Sequence, residues 1–230
     1  MTPTFFQPTS PDLSALGAGF ADQARGSQAV FRGVLHALSY PGRPVAVGGD
    51  AEWPVVPGAA CHAASAAVWL ALLDAETTLW LSPSLAGSAA ETWLRFHTGC
   101  TVVAEPAQAQ FVWAASLAEL PDLAQLCTGT DARPDTAATC VVDVPALHTD
   151  ADGAHWVLNG PGVATQAHLG LPGVDDTGLQ RLNALRSANH ALFPRGTDLM
   201  LATATHVLGL PRTTRLDRNA ATATPTQQEA

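Results

Sequence analysis

The sequence predicts an α/β protein in which a mixed sheet carries helices on both faces, an α/β/α layered arrangement within a single domain. Three observations carry that expectation. Segments with apolar residues at helical spacing alternate with short runs rich in Val, Leu and Trp, the order of a layered α/β chain. Two apolar runs near the end, joined by a short turn, read as a closing antiparallel hairpin, which makes the sheet mixed. The 230 residues suffice for one sizeable core, burying roughly 70% of the unfolded chain's surface. No linker interrupts residues 14–215, so the domain is placed at 14–217. It lies between a flexible N-terminal segment, 1–13, and a tail, 218–230, whose low hydrophobicity predicts disorder.

The elements follow in order. Residues 28–38, QAVFRGVLHAL, set Phe31, Val34, Leu35 and Leu38 at helical spacing, and SYPGRP (39–44) stops that helix with proline and glycine. PVAVG (44–48) is a short strand candidate. CHAASAAVWLALLD (61–74) is apolar nearly all round, as in a buried helix, and turns into the strand TLWLS (78–82). SLAGSAAETWLRFHTG (84–99) is the next helix, with Leu94 and His97 one turn apart and Gly99 as a left-handed cap. Strands follow at 100–104, at 110–114 and, after a short helix, at 139–144, with a polar loop, 126–139, before the last. HWVLNGPGV (155–163) is a strand entering a glycine-proline-glycine turn. Residues 177–193 form an amphipathic helix with Leu179, Leu182, Leu185 and Ala188 on one face, and DLMLAT (198–203) with HVLGLP (206–211) make the hairpin.

Composition removes several functions. The formal charge is −9, from 11 basic and 20 acidic residues, and no basic patch is evident, so nucleic-acid binding by phosphate neutralisation is not expected. The opening MTPTFFQPTSPDL lacks a basic region and a long apolar run, and AAVWLALL (66–73) is too short to span a bilayer. A soluble, cytoplasmic protein without membrane partners is expected. All 11 basic residues are arginine; the chain has no lysine. That excludes the usual P-loop, protein-kinase and pyridoxal-phosphate chemistries, each of which needs one. Charged residues are only 13% of the chain against 47% hydrophobic, a sparsely charged surface that suits coverage by a partner.

Chemical candidates are few. LRFHTGC (94–100) crowds Arg95, His97 and Cys100 at a helix end. His97 with Cys100 is an H-x-x-C pair, and Cys61, His62, Cys127 and Cys140 lie elsewhere without the tight paired spacing of zinc sites, so no metal site is expected. Cys100 opens an apolar strand, where burial suppresses thiolate and disfavours a nucleophile. Asp74 and Glu76 are paired acids at a helix-to-strand turn, where capping is the plainer role. NGPG (159–162) is either a backbone anion nest, through Asn159, Gly160 and Gly162, or a tight turn needing positive φ. Arg95 and Arg212 carry guanidinium forks that match phosphate or phosphonate oxygens, while pairing with a carboxylate is the commoner fate of either. No self-contained catalytic set emerges.

VFRGVLHALSYPGRP, LALLDAETTLWLS, WLRFHTGC, LCTGTDARPDTAATCVV, VLNGPGV, FPRGTDLMLAT and LPRTTR occur in this order between residues 30 and 215. Together they resemble the PhnH family, a subunit of the bacterial carbon–phosphorus lyase system, over most of the chain. The resemblance implies an accessory subunit acting with partner subunits of the core complex. These transfer the ribose triphosphate moiety of ATP to an alkylphosphonate such as methylphosphonate, and a separate iron–sulfur radical subunit later cuts the product. It also implies a fold similar to pyridoxal-phosphate-dependent transferases without the cofactor, and a homodimer when isolated. The missing lysine agrees independently. No catalytic residue is carried over; Arg95, His97, Asn159, Gly160, Gly162 and Arg212 stand as candidate ligand or partner contacts, with no cofactor and no metal expected. A reading of another class remains beside it: a stand-alone small-molecule enzyme using His97 with Cys100 or a metal.

Overall fold

The computed structural model describes residues 16–47, 53–54, 56, 58, 61–163 and 166–219. Helix α1 (Gln23–Ser39) starts where the Asp22 carboxylate accepts from the Arg25 amide, five residues before the apolar spacing begins to show. Strand β1 (Val45–Ala46) is followed by α2 (Ala63–Leu72), β2 (Thr78–Leu81), α3 (Ala89–Thr98) and β3 (Thr101–Val102). Strands β4 (Phe111–Ala114) and β5 (Thr139–Asp143) come next; three 3-10 turns, at 117–119, 123–125 and 134–136, stand where one short helix was expected. The chain continues through β6 (Trp156–Asn159), β7 (Ala167–Leu169), α4 (Asp176–Ala191), the hairpin β8 (Asp198–Ala202) and β9 (His206–Leu210), and β10 (Arg215–Arg218).

Among the described residues seven strands form one mixed sheet in the order β1-β9-β8-β5-β4-β2-β3. The neighbours from β3 to β8 are parallel, and β9 runs against β8 and β1. Because both faces are covered, the central strands read as continuous apolar runs whose alternate residues enter different cores. Val141, Met200 and Trp113 join α1, α2 and α3 on one side; Cys140, Val142, Leu199 and Leu201 join Leu182 and Leu185 of α4 on the other. The second side corrects the expected layering. There α4 shares the coverage with a three-stranded antiparallel sheet, β10-β6-β7, whose Trp156, Leu158, Leu169 and Leu216 complete that core. Strands β7 and β10 are too short and too polar on their outer faces to announce themselves.

Two helix faces also differ from the spacing argument. In α1 the buried residues are Gly26, Val30, Val34 and Ala37, while Phe31 and Leu35 are 45% and 49% exposed. The reason is clearance. A Cβ on Gly209 of β9 would stand 2.5 Å from the Ala37 carbonyl oxygen, so the helix lies almost on the strand and only small residues fit beneath it. In α4, Ala188 is exposed and the polar Arg186 and Asn189 are buried instead. The segment 1–13 lies outside the described residues, as does the tail beyond Asn219; Arg218 closes β10 and Asn219 donates to the carbonyls of Ala151 and Ala154, so the folded chain runs past 217.

Candidate functional site

LRFHTGC is a helix end. Ser88 caps α3 at its start, and Gly99, at φ +72°, returns its amide to the Arg95 carbonyl, reversing the chain into β3. Arg95 is exposed and sits 3.5 Å from Glu91, one turn back. His97 is half-buried: its ring lies edge-on to Trp93 and Phe96, and its Nε2 is 3.3 Å from the Gly17 carbonyl oxygen. It thus pins the segment before α1 to α3. Cys100 is buried, and that burial pushes its thiol up, which works against a His97–Cys100 nucleophile. Cys61 and Cys140 are pushed up to about 12, again by burial first, with the Asp143 and Asp198 carboxylates adding to it. Among the described residues no group of three or more His, Cys, Asp or Glu is placed to hold a metal ion.

The fold brings three of the sequence motifs together. In NGPG, Gly162 has φ +82°, and a Cβ there would meet the Ser39 carbonyl oxygen at 2.4 Å and Pro41 at 2.8 Å; one on Gly160 would meet the Thr213 carbonyl at 2.9 Å. The turn is therefore clamped between SYPGRP and LPRTT. Asn159 donates to Asp217 across the β6–β10 ladder at 2.6 Å. Arg212 is engaged as well. Its fork meets Asp198 at 3.3 and 2.7 Å, and a third nitrogen donates to the Pro134 carbonyl at 2.5 Å. Arg212 and Asp198 side chains are only 16% and 24% exposed, so this pair ties LPRTT to FPRGTD and to the 126–139 loop.

Beneath Arg212 lies a polar cluster that the apolar spacing of α4 conceals. Arg186 is buried and donates to the carbonyls of Pro211, Thr214 and Thr197. Burial lowers its guanidinium to about 10. Asn189 accepts from the Thr197 amide at 2.7 Å and donates to the Thr197 carbonyl at 2.9 Å. These groups satisfy a loop that passes through the interior, where an unpaired carbonyl is costly.

Open α/β sheets bind ligands beyond the carboxyl ends of their strands. Here that edge is occupied by the chain itself. Asp143, the last residue of β5, is buried and accepts from the Ser65 hydroxyl, the His62 amide at 3.0 Å and Trp113 Nε1 at 3.3 Å. His62 Nε2 is 3.1 Å from the Val144 oxygen, and the Ala64 amide donates to Ala204 in the hairpin turn. The positive end of α2 thus carries its counter-anion internally. Burial pushes the Asp143 carboxyl above its usual range, against three hydrogen bonds that favour the carboxylate. A lone acid inside the run VVDV was the available signal for this group.

Fold and polar groups together define a mixed-sheet α/β protein whose charged motif residues are held mainly by their own chain. The particular kind follows from comparison. The family model described as "Bacterial phosphonate metabolism protein (PhnH)" matches residues 18–217, and the chain belongs to that family. It is 37% identical over 199 residues to the alpha-D-ribose 1-methylphosphonate 5-triphosphate synthase subunit PhnH of Rhizobium meliloti (strain 1021), covering 86% of this chain and 94% of that protein. It is 30% identical over 195 residues to a putative C-P lyase subunit protein, HtxG, of Stutzerimonas stutzeri, covering 85% and 88%. Among the described residues no helix is long and apolar enough to cross a membrane.

Proposed function

We propose that this chain is an accessory subunit of the carbon–phosphorus lyase system, required with partner subunits in the cytoplasm to transfer the ribose triphosphate moiety of ATP to an alkylphosphonate. The observation that carries the reading is the family match across 18–217 together with the end-to-end likeness to a synthase subunit, 94% of which is covered. The engagement of Arg212, Asp143 and Arg186 with their own chain supports a subunit whose chemistry depends on partners. Of the candidate contacts, Arg95 is the one with an exposed guanidinium, and we assign it to a partner or ligand edge, with His97 on the same helix beside it; Asn159, Gly160, Gly162 and Arg212 stand apart from it, and we assign them to shaping a second surface. We further read the fold as that of pyridoxal-phosphate-dependent transferases without the cofactor, supported by the mixed seven-stranded sheet and the absence of lysine, and the isolated chain as a homodimer, supported by its sparse charge.

Reconstitution tests the reading. Purified partner subunits are given ATP and methylphosphonate with and without this chain, and ribosylated phosphonate is followed by phosphorus NMR. Product is expected only when the chain is present. Full activity of the partners alone, or turnover by this chain alone, refutes the proposal.

A further inference from the structure

Helix α1 carries a surface that no other element among the described residues covers. Its inner face is fixed by Val30, Val34 and Ala37 against a strand too close for larger residues, so the outward placement of Phe31 and Leu35 is not a matter of helix rotation. These two side chains stand one turn apart, and Phe31 lines an open groove of about 570 Å³ with Gln23, Ala24, Ser27, Gln28 and Ala71 at the α1–α2 seam. At 100° per residue, Arg25, Arg32 and His36 fall on an adjoining stripe, about 60–140° around the helix from Phe31 and Leu35. All three are exposed. Between residues 16 and 47 there are three arginines, Arg25, Arg32 and Arg43, and one acid, Asp22, in a chain whose net charge is −9. Among the described residues Arg32 has no ion-pair partner, and Arg25 has only the exposed Asp22 at 3.6 Å.

We propose that this α1 face is the docking surface for a partner subunit of the synthase assembly, one that presents an apolar ridge bordered by carboxylates. The apolar side chains of the partner enter the α1–α2 groove beside Phe31 and Leu35, and its carboxylates meet Arg25 and Arg32. Charge selects this occupant over a second copy. An antiparallel two-fold pairing of α1 with itself sets the two basic stripes side by side, with one Asp22 per chain to offset them, and like charges so placed are repulsive. The inference rests on the subunit reading above and adds where, and through what chemistry, the contact is made.

The test measures binding of immobilised full-length chain to the purified remaining subunits. Phe31→Ala or Leu35→Ala is expected to weaken binding about tenfold, and the pair about a hundredfold, as for central apolar anchors. Arg25→Gln with Arg32→Gln is expected to slow association and to flatten its decline with ionic strength, the signature of charges at a rim. Phe193→Ala removes another exposed phenylalanine outside this face and is expected to change nothing. Wild-type binding with unchanged binding by the α1 variants overturns this surface while leaving the subunit reading intact. Absence of wild-type binding overturns both. Two results would assign the face to another occupant and equally overturn the proposal. One is conversion of the isolated chain from dimer to monomer by Phe31→Ala with Leu35→Ala; the other is tenfold tighter partner binding on deletion of residues 1–13.

Discussion

Replacing Arg212 by leucine separates two roles that sequence alone leaves open, an anion contact and a structural clasp. The guanidinium makes two bonds to Asp198 and one to the Pro134 carbonyl, and the backbone amide of residue 212, which donates to Asp198 at 2.8 Å, survives the change. Leucine keeps much of the volume but leaves a largely covered carboxylate and a carbonyl without their partners. A fully buried pair broken on one side costs about 3–5 kcal/mol. With 16% and 24% exposure, water reaches part of this pair, so the expected loss is about 2–3 kcal/mol. For a chain of this size that is roughly 4–12 °C in Tm. Calorimetry or urea titration of Arg212→Leu, Asp198→Asn and the double variant gives the coupling directly, expected at about 1–3 kcal/mol. Arg212→Lys retains charge without the fork and should fall between wild type and leucine. If Arg212→Leu keeps the wild-type Tm while the reconstituted complex loses activity, the residue serves a ligand or partner and the clasp argument is wrong.

Three further outcomes follow from the same geometry. Gly162→Ala meets the Ser39 carbonyl at 2.4 Å in a left-handed conformation and should cost about 2–4 kcal/mol. Gly87→Ala, with φ +71° and open space around it, should cost only about 1 kcal/mol of backbone strain; equal urea midpoints for the two would refute the contact argument. Because burial raises the Asp143 carboxyl, the folded state holds its proton more readily than the unfolded one. Its contribution to stability is then most favourable below the unfolded value of about 3.9 and declines as pH rises through the folded value. The stability of wild type relative to Asp143→Asn should therefore fall as pH rises above about 4, and a rise would show that the three hydrogen bonds outweigh burial. With thiols near 12, Cys61 and Cys140 should react with iodoacetamide at pH 8 at below about one-thousandth of the rate of an unburied thiol, by mass spectrometry of native protein. Alkylation of either at the unburied rate would contradict the burial account.

The alternation of helix and strand was legible because parallel strands buried on both faces are continuous apolar runs, and TLWLS, QFVWA and TCVVDV all became strands. Periodicity also located α1, and Val34 and Leu38 of its apolar set do meet the core, but Phe31 and Leu35 face outward. A helix with Val30, Val34 and Ala37 on one side and Phe31 and Leu35 on another has two apolar stripes, and only the closeness of β9 decides which is buried. Strands β7 and β10 carry three and four residues and are held by pairing with β6, a tertiary fact with little local trace. The polar clusters followed the same rule. Arg95, His97 and Arg212 stood out by motif, whereas Asp143, Arg186 and Asp198 matter through partners 11 to 81 residues away. Spacing along the chain does not reveal a loop that must be satisfied in the interior.

The carboxyl edge of the sheet yields the last prediction. A triphosphate or phosphonate bound there would face the amino end of α2, whose positive end is equivalent to roughly half an elementary charge. Asp143 already places a carboxylate against that end, accepting from the His62 amide and the Ser65 hydroxyl, while the Ala64 amide is taken by Ala204. An anion arriving at this position would meet an enclosed carboxylate on a chain of net charge −9, with the His62 amide, the Ser65 hydroxyl and the Ala64 amide already engaged. Isolated protein should therefore show no saturable ATP binding at this edge below about 1 mM by equilibrium dialysis, an affinity floor of about 4 kcal/mol. Asp143→Ala, which frees the His62 and Ser65 donors and removes the charge, should bind ATP more tightly than wild type if it folds; the fold is checked by near-ultraviolet circular dichroism. Micromolar ATP binding by the wild-type chain, weakened by Ser65→Ala, would mean that Asp143 yields its place to phosphate, and the edge would then have to be counted as a ligand site.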